Sequence, residues 1–198
     1  MIYIFDLDYT LLDSEKLKIK LAKIFGFSEK EFVASRQKCF KNKNNLYSPF
    51  KHIDCLYQLG NINLEKKEQY LNKVKRLVKQ VDVFIKPDGE KILKKLRKHG
   101  HYLVLLTFGD LYWQKQKVKN LRLSKNFEKI LITDKSKVGA LKFLRNKQSE
   151  VIIINDNAQE NLLIRRSMPL VKTILISGPH AVNIIHNEKK YKLNDIFI

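Results

Sequence analysis

The chain has 198 residues, 44% hydrophobic and 30% charged, a balance that excludes a disordered polymer and accommodates one core domain with a modest insertion. No apolar run approaches the roughly 18 residues that a membrane helix needs, and the opening MIYIFDLD reads as a strand followed by acids rather than a secretory leader. The net charge of +19 attracts phosphate-rich partners, nucleic acid included. Its lysines, however, are spread over almost every predicted helix, and arginine, the residue base readout favours, is scarce. The charge therefore reads first as a solvated surface and only second as a nucleic-acid footprint.

In chain order, Ile2 to Phe5 is a continuous apolar run of the kind buried on both faces in a parallel sheet. From Ser14 to about Val81 the pattern is helical. One helix carries Leu17, Leu21 and Ile24 on a face, and a second opens on a Ser28/Glu31 capping box. A third starts at Ser48-Pro49 and a fourth aligns Leu71, Val74, Val78 and Val81. Cys39 and Cys55 fall in this stretch with no metal-type spacing around them, which predicts free thiols in a reducing compartment, the cytoplasm.

After Lys86-Pro87-Asp88-Gly89 helices and strands alternate: helix 90–98, strand 102–106, helix 112–121, strand 130–133, helix 136–146, strand 151–154, helix 158–166 and strand 172–176. Such spacing implies right-handed crossovers and a doubly wound, Rossmann-like parallel α/β sheet of about five strands. The core is expected at 1–13 and 83–198, with an all-helical cap inserted at 14–82. Ile184-Ile185 and Ile196-Phe197-Ile198 are expected to dock on the core.

Ligands of open parallel sheets sit at the carboxyl ends of the strands. Those ends read Asp6-Leu7-Asp8-Tyr9-Thr10, Thr107-Phe108-Gly109-Asp110 and Asn155-Asp156-Asn157. Asp6, Asp8 and Asp156 converge at one edge, and carboxylates crowd together where a hard cation such as Mg²⁺ holds them. Asp110 and Asp88 read instead as helix caps or turn formers. Thr107 stands where a helix begins, so its hydroxyl and the free N–H groups nearby suit an anion. Lys137 lies in a first helical turn, where a cation opposes the helix dipole unless an anion compensates; Lys135 is its rival.

These residues resemble the haloacid-dehalogenase-like hydrolases. Asp6-Leu7-Asp8-Tyr9-Thr10 matches the DxDxT motif of that superfamily, Thr107 its second-motif hydroxyl, Lys137 (or Lys135) its lysine, and Asp156 with Glu160 its last acids. The helices between the first two motifs are similar to the C1 cap of the phosphoglycolate-phosphatase-like branch. The resemblance implies a magnesium-dependent phosphatase acting on a small phosphorylated metabolite, with no membrane partner and a monomeric or weakly dimeric state. It gives Asp6 as nucleophile, Asp8 as proton donor and acceptor, and Thr107, Phe108 and Lys137 around the phosphate. The metal is expected on Asp6, the Asp8 backbone carbonyl and Asp156, with the helical insertion as a lid hinged near 12–14 and 86–87. Dehalogenating relatives lack an acid at the Asp8 position, so carbon–halogen cleavage is disfavoured. Two departures stand out: Asn155 where the family has Gly or Asp, and Glu160 where it more often has Asp. The alternatives are a phosphomutase or phosphotransferase using the same acids, or a basic nucleic-acid-associated protein with a vestigial site.

Overall fold

In the computed structural model, which describes residues 1–42, 45–144, 149–181 and 189–196, β1 (Ile2–Phe5) is buried along its whole length. Its uninterrupted apolar run allows this only where both faces of a sheet are covered. It pairs in parallel with β2 (Tyr102–Phe108) on one side and β4 (Val151–Asn155) on the other. With β3 (Lys129–Thr133), β5 (Lys172–Ile176) and β6 (Lys190–Tyr191) the order is β3-β2-β1-β4-β5-β6, every pairing parallel. The sheet therefore has six strands rather than about five. The extra one is a two-residue, lysine-bearing edge strand too short to leave a periodic signal.

Side chains alternate across this sheet. Ile2, Ile4, Val104, Leu106, Val151 and Ile153 form one core with Leu141, Leu144 and Ile164. On the other face Phe5 meets Phe127 edge-on at 6.3 Å. The helices that pack against the strands are α5 (Pro87–Lys98), α7 (Lys137–Ala140, continued as a 3-10 turn to Leu144) and α8 (Ala158–Ser167). The helix expected at 136–146 is thus a single α turn followed by a tighter one, and its last two residues lie outside the described range. The same holds for Ile184, Ile185, Phe197 and Ile198 in the tail; Ile196 is buried, and the preceding turn packs on α5.

The chain separates into two compact units. One comprises 1–13, 85–108 and 122–198; the other comprises 14–84 together with 109–121. The second holds α1 (Ser14–Ile24), α2 (Glu29–Cys39), α3 (Pro49–Gln58), α4 (Leu64–Lys79) and α6 (Leu111–Asn120). The Ser28/Glu31 capping box forms, with both reciprocal bonds. Ser48 and Pro49 start α3, although the Ser48 hydroxyl makes no capping bond. On α4 the buried stripe is Tyr70, Val74 and Val78; Leu71 is only half-buried, because Tyr70 turns inward to donate its hydroxyl to the Phe25 carbonyl at 2.8 Å. Asp110 is the N-cap of α6, accepting from Trp113 N–H at 2.9 Å.

The free-thiol expectation is corrected. Cys39 at the end of α2 and Cys55 within α3 form a disulfide across a Cα separation of 5.9 Å. The helices bring the two residues together through Phe25, Phe32 and Phe40, whose rings surround the buried His52 at 5.1–5.8 Å. The cytoplasmic expectation loses the support it took from two isolated thiols. No helix among the described residues is long and apolar enough to cross a membrane.

Candidate active site

Asp6 continues β1 by one residue, its N–H donating to the Ile154 carbonyl at 2.9 Å. That bond sets Asp6 beside the end of β4, where Asn155 and Asp156 follow directly. Thr107 lies near the end of β2, two residues beyond the Leu105 that pairs with Phe5, and opposite Ile132 of β3. The strand order puts β1 between β2 and β4, so the three polar strand ends lie next to one another.

Lys137, the first residue of α7, is buried and reaches into this edge. Its Nζ lies 2.7 Å from Asp6 Oδ1 and 2.7 Å from Glu160 Oε2, and donates to Asn155 Oδ1 at 3.3 Å. Lys135 is exposed, its backbone N–H bonded to the Thr133 hydroxyl at 3.2 Å, so it is Lys137 that reaches the acids. Asn155 is buried and donates through Nδ2 to Glu160 Oε2 at 3.0 Å and to Asn161 Oδ1 at 3.2 Å. Asn157 caps α8 by accepting from the Glu160 N–H at 3.1 Å, which fixes the turn on which Glu160 is carried. The Asn in place of an acid at 155 therefore has a structural reason. A carboxylate there would face Glu160 with like charge, whereas the amide bridges Glu160 and Asn161.

The electrostatics of the cluster are unbalanced. Burial raises the Asp6 carboxyl from 3.8 to about 7; Lys137 opposes that rise, while Glu160 and Asp156 add to it. Asp156 is likewise raised to about 7, first by burial, with Glu160 and Asp8 adding to the rise against Lys137. Burial acts against the Lys137 ammonium, yet the Asp6 and Glu160 carboxylates hold it above the usual lysine range. One ammonium thus serves several acids, and positive charge is short. Asp156 Oδ2 and the hydroxyls of Thr107 and Thr10 are buried without a hydrogen-bond partner. Buried polar atoms rarely stay unpaired.

Hard oxygen donors, a shortage of positive charge and an unpartnered carboxylate oxygen fit a divalent cation such as Mg²⁺, which is held by one or two carboxylates and otherwise keeps water or phosphate oxygens. Asp6 and Asp156 would supply the carboxylates. Among the described residues no group of three His, Cys, Asp or Glu side chains is arranged to hold a metal. The unpaired Thr hydroxyls and the Lys137 ammonium suit an oxyanion.

Of the remaining expected residues, Asp8 is half-buried, pairs with Leu12 in a β-bridge and influences Asp156 electrostatically. Phe108 ends β2, half-buried. Asn161 was not foreseen. Its only trace in the sequence is a polar residue on the stripe of α8 that also carries Ala158 and Ile164.

The family model described as "Haloacid dehalogenase-like hydrolase" matches residues 3–162. Comparison with curated proteins gives no match. Among solved structures, a haloacid dehalogenase-like hydrolase from Burkholderia xenovorans superposes with a TM-score of 0.73 at 19% identity, over 98% of this chain and 93% of that one. The hydrolase YfnB of Bacillus subtilis, whose structure is described as bound to magnesium, gives 0.63 at 14% identity over 98% and 95%. A protein from Thermotoga maritima described as a β-phosphoglucomutase gives 0.55 at 15% identity over 98% and 89%. At these identities the likeness establishes the shared fold.

Proposed function

Because the chain belongs to the haloacid dehalogenase-like hydrolases, we propose that it is a Mg²⁺-dependent phosphohydrolase of the C1-capped, phosphoglycolate-phosphatase-like branch, acting on a small phosphorylated metabolite. The helices between β1 and β2 support the choice of branch. The observation that carries the reading is the buried cluster itself. Asp6, Asp156 and Glu160 gather around the Lys137 ammonium, which lies 2.7 Å from both Asp6 and Glu160 and acts on Asp156 electrostatically. Such an arrangement is costly unless a divalent cation and a phosphate complete it.

Asp6 attacks phosphorus through a carboxylate oxygen, the bond to the substrate alcohol breaks, and an aspartyl-phosphate forms. Asp8 gives its proton to the departing alcohol oxygen, then accepts one from the water that attacks phosphorus and releases inorganic phosphate from Asp6. Lys137 and the Thr107 hydroxyl bind the equatorial oxygens as charge gathers on them, and Lys137 also keeps the attacking carboxylate oriented. The metal, when bound by Asp6 and Asp156, supplies charge neutralisation between nucleophile and phosphate.

A screen of phosphorylated metabolites with Mg²⁺, with EDTA, and with Asp6→Asn tests this. Phosphate release without any acceptor sugar is expected only for the wild type with metal. Turnover persisting in Asp6→Asn removes the covalent route, and equal turnover in EDTA removes the metal.

A further inference from the structure

Tyr9 is the only described non-glycine residue with a positive φ, at 60°. A side chain in the left-handed region costs energy, and the surroundings must hold it there. The turn is closed by the Leu11 and Leu12 N–H groups, which donate to the Leu7 carbonyl at 3.0 and 2.9 Å, and Lys86 braces it from outside. The Lys86 ammonium donates to the Tyr9 carbonyl. Its backbone N–H donates to the Leu11 carbonyl at 2.9 Å, and the neighbouring Ile85 bridges to Leu12. The Tyr9 ring is braced separately, edge-on to His180 at 5.0 Å.

Lysine is an odd residue at this position. Lys86 is the N-cap of α5 and precedes Pro87 at the first helical position, where a cation opposes the helix dipole. Its amine does not cap the helix and folds back onto the turn instead. The approach is close because Gly89 has no side chain: a Cβ there would lie 3.0 Å from Leu11 Cδ2 and 3.7 Å from the Leu11 backbone. Burial lowers the Lys86 pKa, against the opposing influence of Asp156 and Asp13, so the ammonium also sits within electrostatic reach of the carboxylates.

We propose that Lys86 is a positioning residue for the phosphoryl-transfer reaction: by binding the Tyr9 carbonyl it fixes the left-handed turn that carries Asp8, and so sets where Asp8 delivers its proton. The proposal rests on the phosphohydrolase reading and on Asp8 as its acid. A proton on the leaving oxygen matters greatly for an alkyl alcohol and little for p-nitrophenolate, whose oxygen leaves unprotonated. Loss of Asp8 positioning therefore discriminates between two esters, whereas a general loss of structure does not.

The experiment compares wild type, Lys86→Met and Lys86→Arg on glycerol 3-phosphate and p-nitrophenyl phosphate, with hydrogen exchange of the backbone amides of residues 7–12 measured on the same proteins without substrate. Lys86→Met is expected to lose roughly 10- to 100-fold in kcat/KM on the alkyl ester, a ratio that reports only the steps through departure of the alcohol. On the aryl ester kcat/KM should fall far less, whereas hydrolysis of the aspartyl-phosphate, which also uses Asp8, is common to both. The turn amides of Lys86→Met should exchange faster, and Lys86→Arg, which keeps a cationic donor, should recover most of both effects. Equal losses of kcat/KM on the two esters, or unaltered exchange in Lys86→Met, overturn the proposal while leaving the phosphohydrolase reading intact. A wild type that releases phosphate from neither ester nor any metabolite of the screen overturns that reading and the proposal with it.

Discussion

Lys137 contacts two carboxylates within 2.7 Å and influences a third, which makes it the residue on which the charge balance of the site turns. Replacing it with Met leaves the buried Asp6 and the half-buried Glu160 without the cation they contact. Asp6 then takes up a proton more readily, and the nucleophile is lost as a carboxylate. Lys137→Met should lower kcat by about 100-fold or more, measured under saturating Mg²⁺, with Lys137→Arg recovering part of it. Asn155 gives a second prediction. Its Nδ2 donates to Glu160 and Asn161, so Asn155→Asp replaces a donor with an acceptor facing acceptors. The cost is about 1–3 kcal/mol in metal-free protein, read from the urea midpoint. Asp6, Asp8, Thr107 and Asp156 were legible in the sequence because each stands at the end of an apolar run. The choice between Lys135 and Lys137 was not, since side-chain direction at a helix start is set by the whole fold, and neither was the Asn155–Asn161 bridge.

The strands of the sheet interior were legible for a simple reason: a strand buried on both faces must be continuously apolar, as Ile2–Phe5 and Val151–Ile154 are. Elements held by tertiary contacts alone were not. β6 exists because Lys190 and Tyr191 fall beside Leu175 and Ile176, and nothing in those two residues announces a strand. The Cys39–Cys55 pairing depends on α2 meeting α3, which no local pattern encodes. Its consequence is specific to α2, whose only buried residue is Phe32. With so little apolar surface holding this helix, the covalent tie matters, and closing 16 residues of sequence separation contributes about 3 kcal/mol in the chain-entropy account. Cys39→Ser and Cys55→Ser should each lower stability by that order, as reductant should for wild type. Faster hydrogen exchange in 29–39 should accompany the loss, with smaller changes in the sheet.

At the scale of the whole molecule, net charge and topology were legible but the partition was not entirely so. Residues 109–121 cluster with the helical unit although they follow β2 in the chain. The positive charge does not reach the buried acids evenly, and this links global stability to pH. Asp6 and Asp156 rise from 3.8 to about 7 in the fold, chiefly through burial. Between those values the unfolded chain has released its protons while the fold keeps them, so the fold binds more protons than the unfolded state. For carboxyls shifted upward, stability is therefore greatest at low pH and falls as pH rises from about 4 to about 7. A divalent ion binds the ionised pair and must compete with protons for it. Thermal unfolding in EDTA and in saturating Mg²⁺ should give nearly the same midpoint near pH 5, with the Mg²⁺ midpoint increasingly higher as pH passes about 7. Asp156→Asn should lose that pH-dependent gap. A gap of constant size across the range, or one that survives in Asp156→Asn, would mean that the ion binds elsewhere.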